Sequence, residues 1–282
     1  METPQSGFLA AAEPSRPRPA VHAEMGRYQV RLAQNVEERD AACRLRFRVF
    51  NLELGEGLQQ SYLTGMDRDE FDLFCEHLIV EDRTEPNPAR RVVGTYRMQS
   101  GPIAQRNLGY YSEQEFFFEP YEPLRQGVLE LGRASIAQDH RTPEVLTLLW
   151  RGIAQYASGM GLRYLIGCSS LNSKEPSEGW QLFSRLQKYY AAAELRTRPK
   201  PGYLCPEREP EVCGNLAVTV LESQAAAAKI PRLLRTYLTI GARICAPPAW
   251  DREFGTIDFL TLLDLKLLTA AARNHFFMPS LH

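Results

Sequence analysis

The chain contains 282 residues, of which 44% are hydrophobic, 24% are charged and 10% are aromatic. At roughly 100–200 residues per domain, this length allows one large domain or two small ones with a substantial buried core, which excludes a disordered or fibrous chain. The 33 Lys and Arg residues are balanced by 34 Asp and Glu residues, so no overall basic field favours nucleic acid as a partner.

The first third of the chain contains an irregular tail, a strand and a helix. Residues 1–25 are rich in Pro, Ala and small polar residues without apolar periodicity, which predicts a mobile tail. Residues 28–33 alternate as a short strand. Asn35 can then cap a helix with acidic residues in its first turn, and Gly55 can end that helix.

The middle of the chain alternates between strands and helices. The predicted elements are strands over 76–81, 92–98 and 128–137, a helix over 145–157, a strand over 164–168, a helix over 178–190 and a strand over 216–221. The Pro- and charge-rich segment between the first two strands indicates a long hairpin, and Thr142 and Pro143 are suited to begin the first of these helices. A hairpin followed by strand–helix–strand predicts a mixed sheet with helices on both faces.

Residues 229–273 have a different character, because seven basic and four acidic residues alternate there with Leu, Ile, Tyr and Phe. This pattern allows a C-terminal helical subdomain that packs on the sheet, or an amphipathic surface that rests on anionic lipid.

Membrane, secretory and zinc signals are not found. No apolar run reaches the ~20 residues of a membrane-spanning helix, and no basic region precedes an apolar one near residue 1, so we expect a cytoplasmic protein. The six cysteines form no C-x-x-C pair and no zinc pattern. We expect buried thiols and no metal, with a Cys205–Cys213 disulfide as the alternative.

Common catalytic signatures are also missing, including the P-loop, G-x-S-x-G, H-E-x-x-H and G-x-G-x-x-G motifs. One candidate is the pair Glu130 and Arg133, which a regular strand would place on opposite faces. A β-bulge near Gly132 would shift the alternation and bring both side chains to one site. The other candidates are Arg46 with Phe50, four residues apart on one helix face, and Asp69 with Asp72.

Four ordered motifs carry a resemblance to a known family: LRFRVF (45–50), DEFD (69–72), VVGTYRM (92–98) and LELGRASI (129–136). They resemble the acyl-homoserine lactone synthases and related GNAT-like N-acyltransferases, although the early tryptophan of the lactone synthases is lacking. The continuation through LIGCSS and the C-terminal segment resembles ornithine lipid (lyso-ornithine lipid) N-acyltransferases, often called hemolysin-like. The likeness extends over about 28–275.

This resemblance implies a GNAT-like α/β fold, with a mixed central sheet flanked by helices and a C-terminal helical extension. It divides the chain into a tail (1–25), an acyltransferase domain (26–223) and a C-terminal amphipathic extension (224–282). Carried onto this sequence, the family's functional positions are Glu130 and Arg133 as catalytic residues, with Arg46, Phe50, Asp69, Asp72 and Arg97 as substrate-binding residues.

The chemistry of acyl transfer agrees with these positions. The acceptor ammonium must lose a proton before it attacks a thioester, and Glu130 is our choice for the base. Backbone N–H groups between Gly132 and Ser135, freed by a bulge, could stabilise the oxyanion. A structural role remains open, in which Arg46, Asp69, Asp72 and Arg97 form only a rigid network.

The expected activity is transfer of a (3-hydroxy)fatty acyl group from acyl carrier protein to the α-amine of ornithine or a similar amino acid, giving a lyso-aminolipid. The junction over 138–143 contains no glycine for a coenzyme A pyrophosphate, so we expect a phosphopantetheine arm near Ser135 and Arg141 and no bound cofactor. Surface contacts for the acidic carrier are expected at Arg141, Arg151, Arg185 and Lys188. Alternatives are a soluble N-acyl amino acid or lactone signal synthase, and a non-catalytic lipid-binding module. Peripheral association with the inner membrane face is the alternative to a purely cytoplasmic location.

Overall fold

The structure, a computed structural model, describes residues 17–206 and 229–276. Within these two ranges, nine strands form one sheet in the order β1-β2-β3-β4-β5-β6-β9-β7, with β8 paired to β9. The strands are β1 (His22–Met25), β2 (Tyr28–Leu32), β3 (Glu76–Asp82), β4 (Val92–Ser100), β5 (Val128–Ile136), β6 (Tyr164–Leu171), β7 (Arg243–Ile244), β8 (Ala249–Asp251) and β9 (Thr256–Asp264). Among the named strands of the described residues, β5–β6 is the one parallel pair, which makes the sheet mixed, as the sequence predicted.

Helices cover both faces of this sheet. They are α1 (Val36–Phe47), α2 (Ser61–Thr64), α3 (Pro88–Arg91), α4 (Gly101–Arg106), α5 (Pro143–Met160), α6 (Pro176–Arg185), α7 (Arg232–Ile240) and α8 (Ala270–Phe276). On β3, Leu78 and Val80 pack in the core cluster that contains α5 residues, whereas Ile79 between them packs with α1 residues. Alternate side chains of a strand point to opposite faces, so α1 and α5 lie on opposite sides of the sheet.

The predicted helix ends are confirmed at both principal helices. The side chain of Asn35 accepts a hydrogen bond from the Glu38 N–H, and that of Thr142 accepts one from the Val145 N–H. Beyond α1, the chain winds as a π-helix over Arg48–Leu54 and stops at Gly55, whose φ of 68° favours glycine. π-Helical turns are frequently found at functional sites, and this one borders the cleft described below.

The parallel strands β5 and β6 separate after a short contact. Their pairing covers only three residues of β5, Val128 to Glu130. At the point of separation, a Cβ on Gly167 would lie 2.2 Å from the carbonyl oxygen of Leu131, so glycine permits this close approach. Beyond Leu131 the edge of β5 that faces β6 has no strand partner, and a cleft opens there.

The predicted bulge in β5 is confirmed. Thr95 of β4 pairs with Ser135 and Arg97 pairs with Gly132, so two residues of β5 oppose the single Tyr96. Arg133 occupies the extra position with a φ of 52°, the only positive φ of a non-glycine residue among the described residues. Such strain is commonly found at functional sites.

The two ends of the chain differ from the expectations. Residues 22–25 of the expected tail form the edge strand β1, paired antiparallel with β2. The segment 229–276 contributes three strands as well as helices, and β9 lies between β6 and β7 within the sheet. The expectation of a helical extension was wrong because β9 is buried along nearly all its length, so its sequence lacks the alternation that marks a half-buried strand.

Three further expectations have separate outcomes. The helix predicted over 178–190 begins two residues earlier and ends at Arg185, followed by a short 3₁₀ turn. The strand predicted over 216–221 and Cys213 lie outside the described residues, and Cys205 is a free thiol. None of the described helices is long and apolar enough to cross a membrane.

Candidate active site

A cleft of about 680 Å³ occupies the space between the separated ends of β5 and β6. One arm is apolar and is lined by side chains of α5 and α7, namely Leu146, Leu149, Leu233, Leu234 and Tyr237. The other arm is polar and contains Arg97, Glu130, Arg133, Asp251 and Asp258. The cleft therefore offers an apolar channel that ends at a set of charged groups.

Glu130 lines this cleft and is 6% exposed. Its Oε2 accepts a hydrogen bond from the Tyr111 N–H at 2.7 Å, and its Oε1 accepts bonds from the N–H and hydroxyl of Ser112. Burial raises the pKa of Glu130, while the bonds from Ser112 and Tyr111 oppose that rise. A carboxylate held in fixed orientation with a raised pKa is suited to accept a proton.

Arg133 reaches the same site because of the bulge. Its guanidinium lies between two aromatic rings, 4.8 Å from the centroid of Tyr111 and 4.5 Å from that of Phe254. It also donates a hydrogen bond to Asp69 at 3.2 Å. The neighbouring Arg97 donates to the other oxygen of Asp69, so one carboxylate holds both guanidinium groups.

Arg46 and Asp72 lie behind the cleft rather than in it. Arg46 is 0% exposed and donates to both oxygens of Asp72, at 2.7 and 2.8 Å, and to Asp67 at 2.8 Å. The neighbouring His77 is buried with a pKa lowered to about 4, so this imidazole is neutral near pH 7. Arg46 and Asp72 therefore belong to a buried ionic network that supports Arg97 and Arg133.

Not all sequence-predicted site residues line the cleft. Those that line it are Phe50, Arg97, Glu130, Arg133, Ser135 and Arg141. Those that do not are Arg46, Asp69 and Asp72, which we had expected to bind substrate and which instead make the ion pairs described above. These contacts are those of the rigid network that the sequence analysis kept open as the structural role of Arg46, Asp69, Asp72 and Arg97.

Arg141 lies at the cleft mouth, just before α5. Its guanidinium forms an ion pair with Glu53 and donates to the carbonyl of Ile136 at 3.2 Å. The junction before α5 is a 3₁₀ turn over Gln138–His140, without glycine. Of the four basic residues proposed to meet a carrier protein, Arg141 alone lines the cleft.

A second group of acids was missed by sequence reasoning. Glu56, Glu115 and the β8–β9 pair that carries Asp251 and Asp258 are three separate segments, and their acids lie close together at the polar end of the cleft. Burial raises the pKa of Glu56 to about 7 and that of Asp258 to about 6. No local motif connects these positions, so only the fold brings them together.

Cys168 lies beside two of these acids. Its Sγ and the carboxylate oxygens of Glu115 and Asp258 all lie within 4.8 Å of one another, which is a spacing that could hold a metal ion. Burial raises the pKa of the Cys168 thiol well above its usual value, so the thiol is protonated. It is therefore neither a prepared thiolate ligand nor a prepared nucleophile.

Comparison with known proteins identifies relatives across most of the chain. Residues 45–151 match the family model of the acetyltransferase (GNAT) domain. The chain is 30% identical over 258 residues to an L-ornithine N(alpha)-acyltransferase of Brucella abortus, which covers 87% of both chains. It is 29% identical to the enzyme of that name from Rhodobacter capsulatus, with 88% of this chain and 94% of the relative covered. Among solved structures, it resembles FeeM, an N-acyl amino acid synthase from uncultured soil microbes. The sequence identity is 11%, the match covers 90% of this chain and 97% of FeeM, and the TM-score is 0.49.

Proposed function

The chain belongs to the family of L-ornithine N(alpha)-acyltransferases and is a GNAT acyltransferase, and from this premise we propose that it transfers a fatty acyl group from acyl carrier protein to the α-amine of ornithine. The observation that carries the proposal is the position of Glu130, a buried and fixed carboxylate at the base of a cleft with an apolar arm. The product would be a lyso-aminolipid.

The proposed reaction proceeds by direct transfer. The carboxylate of Glu130 takes a proton from the ammonium of the acceptor, directly or through water, and the free amine attacks the thioester carbonyl. The unpaired edge of β5 presents backbone N–H groups to the resulting oxyanion. The C–S bond then breaks and the nitrogen loses a second proton to give the amide. The leaving thiolate takes up that proton, and Glu130 releases the first one to solvent.

The acyl chain and its donor would enter from different directions. The apolar arm between α5 and α7 would hold the acyl chain, because burial of each methylene contributes about 0.8 kcal/mol. The phosphopantetheine arm would run beside Ser135 toward Arg141, with the phosphate displacing Glu53 from that guanidinium.

The activity is tested with purified protein, L-ornithine and a long-chain acyl carrier protein. Release of the carrier thiol that depends on ornithine, together with an N(α)-acyl-ornithine identified by mass spectrometry, would support the proposal. Thiol release that does not depend on any amine, or lipid binding without turnover, would contradict it. A diffusible lactone as the product would favour a signal synthase instead.

We expect kcat/KM to be higher with acyl carrier protein than with acyl-coenzyme A of the same chain length. The physical reason is the junction before α5. Pro143 removes an amide donor there, and the junction lacks a glycine that would let a pyrophosphate approach the backbone closely. The preference should decrease as salt rises, because Arg141 and other surface cations would guide an acidic carrier. Equal or better use of acyl-coenzyme A contradicts this expectation.

We also propose that the protein binds anionic membrane surfaces through its C-terminal segment, where Lys229, Arg232 and Arg235 are exposed. Each basic residue near such a surface contributes about 1 kcal/mol, and salt screens this attraction. The doubly substituted R232Q/R235Q protein should sediment with anionic vesicles less than wild type at low salt, whereas R83Q/R90Q should behave like wild type. Equal sedimentation of the two double variants would contradict the proposal.

A further inference from the structure

The acidic pocket, formed by Glu56, Glu115, Asp251 and Asp258, contains more negative charge than its surroundings neutralise. None of these carboxylates forms an ion pair with a lysine, arginine or histidine among residues 17–206 and 229–276. The ionic network around Arg46 is different, because its three aspartates face three arginines. The excess of negative charge is therefore local to one end of the cleft.

Two oxygens of the acidic pocket have no hydrogen-bond partner in the described part of the chain. These are Oδ1 of Asp258, which lines the cleft, and Oε1 of Glu115, and both residues are more than nine-tenths buried. An unpartnered buried carboxylate oxygen is costly unless a ligand supplies the missing donor.

A single short segment connects this pocket to the proposed base. Tyr111 and Ser112 donate their backbone N–H groups to Glu130, and the N–H of Glu115 donates to the Ser112 carbonyl at 3.2 Å. The same turn therefore fixes the position of Glu130 and that of Glu115. Glu130, Asp251 and Asp258 line the same cleft, so a ligand with one amine at Glu130 can place a second cation in the acidic pocket.

Building on the proposed function, we infer that the acidic pocket binds the side-chain ammonium of a diamino acid acceptor while its α-amine lies at Glu130. An alkylammonium group carries three N–H donors and one positive charge, which match the unpartnered oxygens and the excess negative charge. An acceptor with an uncharged side chain would leave the carboxylates unpaired, so the pocket would select for the acceptor. Burial and repulsion between these acids raise the pKa of Glu56 to about 7, that of Asp258 to about 6 and that of Glu115 well above its usual value, and a bound cation would relieve this repulsion.

The test compares L-ornithine with L-norvaline, which has the same carbon chain but no δ-amine. We expect kcat/KM of the wild-type protein to be about 10²-fold or more higher for ornithine than for norvaline. The Asp258→Asn substitution should remove most of that preference by raising KM for ornithine. The Tm of Asp258→Asn should not fall, because a repelling charge has been removed. Glu56→Gln should act in the same direction. The matched control is Asp264→Asn on the same strand, which removes an acid paired with Arg163 and should leave the preference unchanged.

Calorimetry without acyl donor keeps this inference separate from the proposed function. Tighter binding of ornithine than norvaline, weakened in Asp258→Asn, supports the pocket even if the acyl donor or product is assigned wrongly. Equal affinity for the two amino acids, or an unchanged preference in both Asp258→Asn and Glu56→Gln, overturns it. A stoichiometric metal ion bound through Glu115, Cys168 and Asp258, with loss of the ornithine preference on chelation, also overturns it.

Discussion

Replacing Glu130 by glutamine is expected to lower kcat/KM by about 10²-fold or more at pH 7, which corresponds to about 2.7 kcal/mol of transition-state stabilisation. The amide of glutamine cannot take the proton from the acceptor ammonium. Steady-state kinetics with ornithine and acyl carrier protein measure the loss. Wild-type activity should also decline as pH falls through the pKa of Glu130, because burial raises that pKa and only the ionised carboxylate is a base.

A pH series separates loss of the base from damage to the fold. As the pH approaches the pKa of the substrate ammonium, a growing fraction of the acceptor is already deprotonated, so the deficit of Glu130→Gln should shrink. Damage to the turn at Tyr111 and Ser112 would give a deficit that is independent of pH, together with a lower Tm. A well-folded Glu130→Gln protein with unchanged turnover would place the base elsewhere.

Much of the fold could be predicted because the relevant signals are local. The caps at Asn35 and Thr142 and the alternation over 28–33 depend on neighbouring residues alone. The bulge could also be predicted from the sequence, since Gly132 lies between two charged residues that would otherwise face opposite sides of the sheet. The central strand β9 could not be predicted, because a strand buried on both faces has no periodic pattern that distinguishes it from a helix.

The site was predictable only in part, for a related reason. Glu130 and Arg133 lie three residues apart, and sequence reasoning could connect them. Asp258 and Glu115 lie 143 positions apart in the chain and become neighbours only because β9 inserts beside β6. Functional groups on the strand that the sequence failed to predict were necessarily missed as well.

The ionic network behind the cleft should control stability more than substrate affinity. Replacing Arg46 by methionine removes the guanidinium that pairs with Asp67 and Asp72 while keeping an unbranched side chain. Asp72 and Asp67 then keep only their longer contacts with Arg97 and Arg133, both at 3.4 Å, and breaking a buried pair in this way costs about 3–5 kcal/mol. For a chain of this size, Tm should fall by roughly 10 °C. Thermal unfolding followed by circular dichroism measures the shift.

A matched arginine and a kinetic readout decide between the two roles proposed for Arg46. Arg18→Met removes a partly exposed ion pair with Glu76 and should change stability by less than about 1 kcal/mol. Below its Tm, Arg46→Met should retain a near-normal KM for ornithine, because Arg46 does not line the cleft. An Arg46→Met protein that unfolds at the wild-type temperature but has a strongly raised KM would instead show that Arg46 contacts the acceptor. The buried network would then be a binding site that opens when substrate enters.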